Sequence, residues 1–331
     1  MESAKRVIQK LEKEKCDIIV ALTHMDWEED KDLARSCPKI SLILGGHNHN
    51  ASTFFQGDVL IVKAGSNAEY LAKITLEVDL TTVGVNGSAV RTVEITPHFQ
   101  LIPNKNFPAD ERVENVIKKY VNSVDPNKLL PIATLLTSLD SRSNIVRSGE
   151  TGVANLLADA SVEFFQDVSP HLAFISAGSI RGDKKYSILH PITLNDLEEE
   201  FPFANPLRLI ELEGKDLKNL AEHALAKAEN IIGCFPVVSK SVKITYDLKR
   251  DPLQRVVNFT INSEQIQDEK VYRLVTTAYL SNGGDGYYAM KAHRPFSHPL
   301  NDTKMVKVVE KYVRNHSEEL CPVVEGRLQS L

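Results

Sequence analysis

The chain has 331 residues, of which 42% are hydrophobic and 25% are charged, so it is long enough to fold as two globular domains. Its formal net charge is -5 and it contains no block rich in Lys and Arg, which excludes a polyanion-binding surface and therefore nucleic-acid partners. No apolar run is long enough to span a bilayer, so we expect no membrane-spanning segment.

The cysteines and the possible glycosylation sites favour different compartments. Four cysteines without a paired or metal-type spacing suit a reducing compartment or buried thiols. Five Asn-x-Ser/Thr sequences favour secretion instead, at Asn50, Asn86, Asn258, Asn301 and Asn315. Localisation therefore stays open, with the cytoplasm slightly favoured, and the oligomeric state does not follow from the sequence.

The first 44 residues predict a helix followed by a strand, helix, strand unit. Residues 1–16 are typical of a charged amphipathic helix, and the apolar runs 17–24 and 40–44 predict strands on either side of a helix over 27–36. A right-handed crossover makes the two strands parallel, which brings their carboxyl ends to the same edge of the sheet.

Histidines follow both of these strands. His24 ends the first run, and His47 and His49 come after the second, beyond two glycines that allow a tight turn. Neutral imidazole is the commonest metal ligand in proteins, so the three histidines predict a metal site. An ordinary polar turn is the alternative for the 45–49 segment, because Gly and Asn favour turns whatever their function.

The rest of the chain predicts more strands and then a mixed α/β domain. Strands are expected at 59–63, 72–78 and 90–96, followed by a proline-rich break at 97–108 and an amphipathic helix at 109–124, which is either a linker or a core helix. The second half predicts strands at 132–136, 172–175, 207–212, 241–246, 255–261 and 272–277, and helices at 152–165, 194–200, 215–228 and 304–316. We divide the chain into residues 1–108, a linker at 109–130, and residues 131–331.

The loop from Ser176 to Arg181 follows a predicted buried strand and is a candidate anion clamp. Its small residues let backbone N–H groups approach an anion, and Arg181 offers a guanidinium group. An ion pair between Arg181 and Asp183 is an equally supported alternative.

Aromatic residues flank two further loops. Phe203 lies in the aromatic turn 201–206, and Tyr279 precedes a glycine-rich loop that ends in Asp285 and Gly286. Two rings and a carboxylate can hold a nucleobase between them, with the carboxylate accepting hydrogen bonds from the base edge or the ribose. Packing in the core is the ordinary role of such rings.

Taken together, these motifs resemble the 5'-nucleotidase family, which joins a calcineurin-like metallophosphoesterase domain to a C-terminal nucleotide-binding domain. The resemblance extends from about residue 17 to residue 287 and rests on the segments 21–24, 45–49, 150–160, 178–181, 201–203 and 282–287. It implies an α/β fold: the C-terminal part of a metallophosphoesterase α/β sandwich, followed by a mixed α/β 5'-nucleotidase C-terminal domain.

The resemblance also implies roles for individual residues. It implies that His24 and His47 bind one divalent ion, Zn or Mn, and that His49 binds a second. In the C-terminal domain it implies a phosphate-binding Arg181, a base held between Phe203 and Tyr279, and further substrate contacts from Ser176, Asn282, Gly284 and Asp285.

The chain departs from the family pattern in its metal ligands. The Asp-x-His and Gly-Asn-His-Asp/Glu segments of the family do not occur in it, so three imidazoles lack the bridging carboxylate that would screen two cations from each other. We therefore expect poor metal affinity and part of a longer protein. Residues 152–167 also contain no basic residue, which predicts a weaker phosphate clamp.

The sequence thus predicts a metal-dependent phosphomonoesterase that releases phosphate from nucleoside 5'-monophosphates, with a small-molecule nucleotide as its partner. A nucleotide-binding module without hydrolysis is one alternative. A phosphatase for another phosphate ester, such as a sugar phosphate, is a second alternative, and it would not require both aromatic rings.

Overall fold

The computed structural model describes residues 1–85, 88–105, 107–121 and 125–331. The chain divides into two compact units, residues 1–120 and 121–331. This division falls within the segment 109–130 that we assigned as a linker, and the three-part assignment stays a prediction. Asn86 and the predicted helical residues 122–124 lie outside the described residues. Within them, no helix combines the length and apolarity needed to cross a membrane.

The first unit is built around a four-stranded sheet in the order β1-β2-β4-β3. The strands β1, β2 and β4 are parallel, and β3 is antiparallel to β4. In chain order the elements up to the boundary are α1 (Glu2–Lys13), β1 (Val20–Thr23), α2 (Trp27–Ser36), β2 (Leu42–Gly45), β3 (Ala51–Gln56), β4 (Val59–Ala64), β5 (Tyr70–Val85), β6 (Ser88–Pro103) and α3 (Glu111–Val121).

The strand, helix, strand unit expected from the sequence is confirmed. Helix α2 begins at a capping box, in which the Asp26 side chain accepts a hydrogen bond from the backbone N–H of Glu29 and the Glu29 side chain accepts one from the N–H of Asp26 (3.0 Å). The Asp26 side chain also accepts from the N–H of Trp27 (2.7 Å). The register places Thr23 opposite Gly45, so both strands end at the same edge of the sheet. The core beside them includes Ile43, Leu60 and Ile61, all fully buried.

The proline-rich break expected at 97–108 is wrong over its first seven residues. β5 and β6 form a two-stranded antiparallel ribbon, and Pro97 pairs with Leu76 within it. A proline removes one backbone N–H, but each strand of a two-stranded ribbon has a side without a partner strand, where no donor is needed. The ribbon can therefore continue through Pro97 to Pro103.

The second unit combines a six-stranded sheet, in the order β13-β9-β17-β12 with β18 and β19 on β12, with a four-stranded sheet β16-β15-β14-β20. Its strands are β7 (Pro131–Thr134), β8 (Leu139–Asp140), β9 (Leu172–Ser176), β10 (Lys185–Tyr186), β11 (Pro191–Thr193), β12 (Pro206–Glu213), β13 (Pro236–Val238), β14 (Val242–Tyr246), β15 (Val256–Ile261), β16 (Glu264–Gln265), β17 (Val271–Thr277), β18 (Arg294–Pro295), β19 (Thr303–Lys304) and β20 (Leu328–Ser330). Its helices are α4 (Ser143–Val146), α5 (Gly152–Phe164), α6 (Leu194–Glu200), α7 (Gly214–Leu225), α8 (Ala278–Ser281) and α9 (Met305–Asn315).

Among the described helices of this unit, α5 has the most buried residues. It packs against α9 and against β9 and β13, and eight of its residues are buried, which fits its nearly uniform apolar sequence. The mixed α/β class expected from the sequence is confirmed.

Candidate functional site

Two guanidinium groups with unused donors define the candidate site in the second unit. Arg147 follows α4, and Arg181 follows β9 and a short 3-10 helix, Ala177–Ser179. Within the described part of the chain, the buried Nε atoms of both side chains lack a hydrogen-bond partner. Burial lowers the pKa of Arg147, and the positive charge of Arg181 lowers this pKa further. Buried donors are normally satisfied and guanidinium groups bind oxyanions strongly, so these two side chains have the chemistry to hold an anion.

Arg181 lies against an aromatic ring and not against the acid considered from the sequence. Its guanidinium carbon is 4.9 Å from the centroid of the Phe203 ring. Asp183 instead accepts a hydrogen bond from the backbone N–H of Ser143 at 2.6 Å, which fixes the start of α4. The guanidinium of Arg181 therefore keeps donors for a ligand.

Three backbone N–H groups of the 176–181 loop are used within the fold, so these three cannot cradle an anion as the sequence suggested. Ala177, Gly178 and Arg181 donate their N–H groups at 2.8 to 2.9 Å to the carbonyl oxygens of Phe235, Gly233 and Glu200. Ser176 ends β9 and is 2% exposed. Anion binding at this loop thus depends on side chains.

Tyr279 and Asp285 are held together by two hydrogen bonds. The Tyr279 hydroxyl donates to Asp285 Oδ1 at 2.7 Å and accepts from the Asp285 N–H at 3.1 Å. Burial raises the pKa of Tyr279, and the neighbouring Asp285 raises it further. The His223 ring donates through Nε2 to the Asp285 carbonyl at 2.8 Å, which holds the loop from a second side.

The glycine-rich loop needs Gly284 for steric reasons. A Cβ at this position would lie 2.5 Å from the Tyr279 ring, closer than carbon atoms can approach. Asn282 is exposed beside it. Cys234 lies 3.5 Å from the Asp285 carbonyl, and burial raises the pKa of its thiol to about 12, so the thiol stays protonated at neutral pH.

The two candidate stacking rings are partly open to solvent. Phe203 is 37% exposed and Tyr279 is 46% exposed, so neither ring belongs to the core, which was their ordinary role. Within the described residues no direct ring contact joins them. Their placement leaves aromatic surface for a ligand, and the base sandwich stays a prediction.

Arg147 links the two ends of the site. The charges of both Arg181 and Asp285 act on Arg147: Arg181 lowers its pKa and Asp285 raises it. The weaker phosphate clamp that we expected was inferred from residues 152–167 alone. Arg147 precedes that segment, and its position three residues before Glu150, just ahead of a predicted helix, was the sequence signal that we missed.

Comparisons with known proteins were consistent with this geometry. Residues 131–292 match the family described as "5'-nucleotidase, C-terminal domain". This segment is similar to that family over the residues matched. It contains every residue of the site described so far, and the resemblance drawn from the sequence motifs is confirmed.

Relatives of this 5'-nucleotidase C-terminal domain also match the residues before it. The chain is 26% identical to the trifunctional nucleotide phosphoesterase protein YfkN of Bacillus subtilis, over 100% of the chain and 22% of that protein. It is 24% identical to the 5'-nucleotidase of Bos taurus, over 97% of the chain and 60% of that protein. The chain thus spans between about a fifth and three fifths of these curated relatives.

A solved structure shows the same fold. The 5'-nucleotidase precursor from Thermus thermophilus superposes with a TM-score of 0.79 and 23% sequence identity, covering 100% of the chain and 67% of that structure. The α/β fold expected for the chain, including the 5'-nucleotidase C-terminal domain, is therefore confirmed.

The predicted histidine site lies in the first unit, outside the 5'-nucleotidase C-terminal domain. Because β1 and β2 end together, the rings of His24 and His47 meet edge to face with their centroids 5.3 Å apart. His47 has a φ of 68°, in the left-handed region. His49 is two residues further along the same loop, and its role stays a prediction.

A buried lysine holds this loop. The Lys63 ammonium donates to the carbonyl oxygens of Met25 and Gly46 at 2.6 and 3.0 Å and to Asn48 Oδ1 at 2.6 Å. It also forms an ion pair at 2.9 Å with Asp30, and both side chains are fully buried. One ammonium group thus ties together the segments that follow β1 and β2.

The histidines do not form a complete metal site by themselves. Across the ranges that the structure describes, no three or more His, Cys, Asp or Glu side chains are grouped so that they could hold a metal ion. The carboxylate beside Gly45, Asp30, is neutralised by Lys63. This donor set does not fit two divalent ions, so the ligand roles of His24, His47 and His49 stay predictions.

Proposed function

We propose that the protein binds nucleoside 5'-monophosphates in its 5'-nucleotidase C-terminal domain and that this binding serves their hydrolysis. In that reaction a water oxygen bonds to phosphorus, the bond from phosphorus to the 5' oxygen breaks, and the nucleoside leaves with a proton on that oxygen. The observation that carries the proposal is the pair of guanidinium groups, Arg147 and Arg181, with buried and unused Nε donors.

The chemistry of the candidate site supports a nucleotide over a simple phosphate ester. A phosphate monoester matches the charge and the oxygen geometry of two guanidinium groups. Phe203 beside Arg181, and Tyr279 beside Asp285, add aromatic surface and a carboxylate of the kind that can bind a nucleobase or ribose. The names of the relatives, a nucleotide phosphoesterase and a 5'-nucleotidase, favour the same substrate class.

The dependence of hydrolysis on two Zn or Mn ions remains a separate prediction. It rests on the resemblance, and the donor set of the first unit does not fit two such ions. The proposed nucleotide binding does not depend on it, because the guanidinium pair and the aromatic residues all lie in the second unit.

Phosphate release by the purified chain, with AMP or an aryl phosphate as substrate and with Mn²⁺ or Zn²⁺ present, tests the proposal. Because the donor set of the first unit does not fit two metal ions, we expect slow phosphate release, with AMP preferred over the aryl phosphate and adenosine as a competitor. Equal turnover of the aryl phosphate without competition by adenosine would identify a phosphatase for other esters. Tight AMP binding without any turnover would identify a nucleotide-binding module.

A further inference from the structure

The buried side chain of Glu200 lies among three segments of the candidate site. It contacts the segments that contain Ser141 and Gly182, and Glu200 itself belongs to the segment that leads to Phe203. Glu200 is the last residue of α6 and is 3% exposed. Its Oε1 accepts hydrogen bonds from the hydroxyls of Ser141 and Tyr186, both at 2.7 Å. Its Oε2 accepts from the backbone N–H of Gly182 at 3.2 Å, and its carbonyl oxygen accepts from that of Arg181 at 2.8 Å.

Apart from the Tyr186 contact, these contacts join Glu200 to the segments that carry Arg147 and Arg181. Ser141 begins the segment that runs through α4 to Arg147. Gly182 directly follows Arg181, and both of their N–H groups are held by the same glutamate. Phe203 comes three residues after Glu200, beyond the buried ring of Phe201. The position of Glu200 therefore sets the spacing between the two guanidinium groups and the aromatic ring.

The surroundings of Glu200 make a carboxylate at this position energetically costly. The cavity beside Glu200 has a volume of about 10 Å³ and is lined mostly by apolar side chains, so it barely admits one water molecule. Burial raises the pKa of Glu200, whereas its three hydrogen-bond donors act in the opposite direction. No ion pair within the described residues neutralises it. A buried carboxyl group without a cationic partner is costly, and proteins keep such features mainly at functional sites.

Gly182 leaves the space that the Glu200 side chain occupies. A Cβ on Gly182 would lie 1.9 Å from Glu200 Oε1, so only glycine lets the carboxylate reach the backbone next to Arg181. The Glu200 carboxylate and Gly182 thus depend on each other, so a substitution at either residue should disturb their contact.

We propose that Glu200 is a positioning residue, which sets the placement of Arg147, Arg181 and Phe203 for a phosphate-bearing ligand. The proposal rests on the proposed function of the pocket. It does not require contact between Glu200 and the ligand, since the carboxylate acts only through the segments that it holds.

The test compares Glu200→Gln with the matched variant Glu198→Gln in the full chain. The glutamine amide can still accept from the hydroxyls of Ser141 and Tyr186, but its NH2 group faces the Gly182 N–H, so two donors oppose each other. We expect the Kd for AMP, measured by calorimetry, to rise roughly tenfold while the Kd for adenosine changes little. Glu198 lies in the same helix and forms an ion pair with Lys128 at the surface, and its variant should bind AMP like the wild type.

Two further variants separate positioning from general stability. Tyr186→Phe removes one hydrogen bond to Glu200 without touching the arginine segments, so it should lower Tm and leave AMP binding unchanged. Gly182→Ala should weaken AMP binding as Glu200→Gln does, and it decides the question if the latter fails to fold.

Wild-type affinity for AMP in folded Glu200→Gln or Gly182→Ala protein would overturn the inference. Equal weakening in Tyr186→Phe, in proportion to its loss of Tm, would overturn it as well. A wild-type chain that binds no AMP would instead refute the proposed function, so the two failures are distinguishable.

Discussion

At the scale of single residues, the guanidinium pair is the feature with the clearest consequence. Removing a charged donor from the pocket, as in Arg147→Met or Arg181→Met, should weaken AMP binding by about 1.5 to 3 kcal/mol, or roughly ten- to hundredfold in Kd. Calorimetric titration of AMP measures this. Neither variant should lower Tm, because each removes an unpaired cation from beside another.

Arg142→Met is the matched control for these variants. Arg142 lies in the same segment, but its guanidinium is already bound to Asp140 at 2.7 Å. The affinity of the Arg142→Met variant for AMP should equal that of the wild type. If Arg181→Met bound AMP as tightly as the wild type, the anion pocket would be located elsewhere.

The contact between Gly284 and Tyr279 gives a steric prediction. In Gly284→Ala the new methyl group would meet the Tyr279 ring at 2.5 Å and displace it from Asp285. We expect weaker binding of adenosine as well as AMP, measured by calorimetry. Gly149→Ala is the control, because a Cβ there meets nothing within 4 Å. Unchanged adenosine binding in Gly284→Ala would show that Tyr279 does not contact the nucleoside.

The sequence allowed part of this site to be predicted. Arg181, Phe203 and Asp285 were singled out because cations, rings and acids next to apolar strands or glycines are typical of ligand sites. Arg147 was missed because its position ahead of a predicted helix does not reveal the contacts, such as the hydrogen bond between Asp183 and Ser143, that join its segment to the one that follows Arg181. The role of Glu200 was hidden for the same reason.

At the scale of elements, regular helices and buried strands followed from hydrophobic periodicity. The predicted bounds of α2 and α6 agree with the structure, since both helices begin at a capping box. The extent of the β5 and β6 ribbon was not predicted, because Pro97 is ordinarily a strand breaker and only a missing neighbouring strand makes it acceptable.

The ion pair between Lys63 and Asp30 predicts a stability effect in the first unit. Lys63→Met leaves a buried carboxylate without its cation and three acceptors without their donor, which should cost roughly 3 to 5 kcal/mol. Urea unfolding followed by the fluorescence of Trp27, the single tryptophan, measures this. Lys31→Met removes a surface ion pair with Glu28 and should cost about 1 kcal/mol at most. Equal costs for the two variants would contradict the account.

The contact between α5 and α9 predicts a pH dependence of stability. His316 Nε2 lies 2.8 Å from Glu163 Oε2, and this carboxylate raises the pKa of His316, with Glu319 adding to the effect. Since the pKa is higher in the folded state, the stabilisation is complete below the unfolded value and is lost as pH rises through the folded value. The Tm difference between the wild type and His316→Gln should thus be larger at pH 6 than at pH 9. A larger difference at pH 9 would contradict this assignment.

At the scale of the whole molecule, the site lies within one compact unit. Every residue assigned to nucleotide binding belongs to residues 121–331, whereas the three histidines belong to residues 1–120. The combination of sequence motifs was enough to recognise the family, because each motif is short and chemically distinctive. The metal site could not be predicted in the same way, since it depends on the spatial grouping of donors, and the described residues contain no complete group.

The central claim is that the second unit recognises a nucleotide through its phosphate and without a metal ion. Calorimetric titration of the full chain with AMP and with adenosine, both in EDTA, tests it most directly. The account predicts saturable 1:1 binding of AMP, at least tenfold tighter than that of adenosine, because two guanidinium groups contact the phosphate. Equal affinities for AMP and adenosine, or no AMP binding at all, would contradict it.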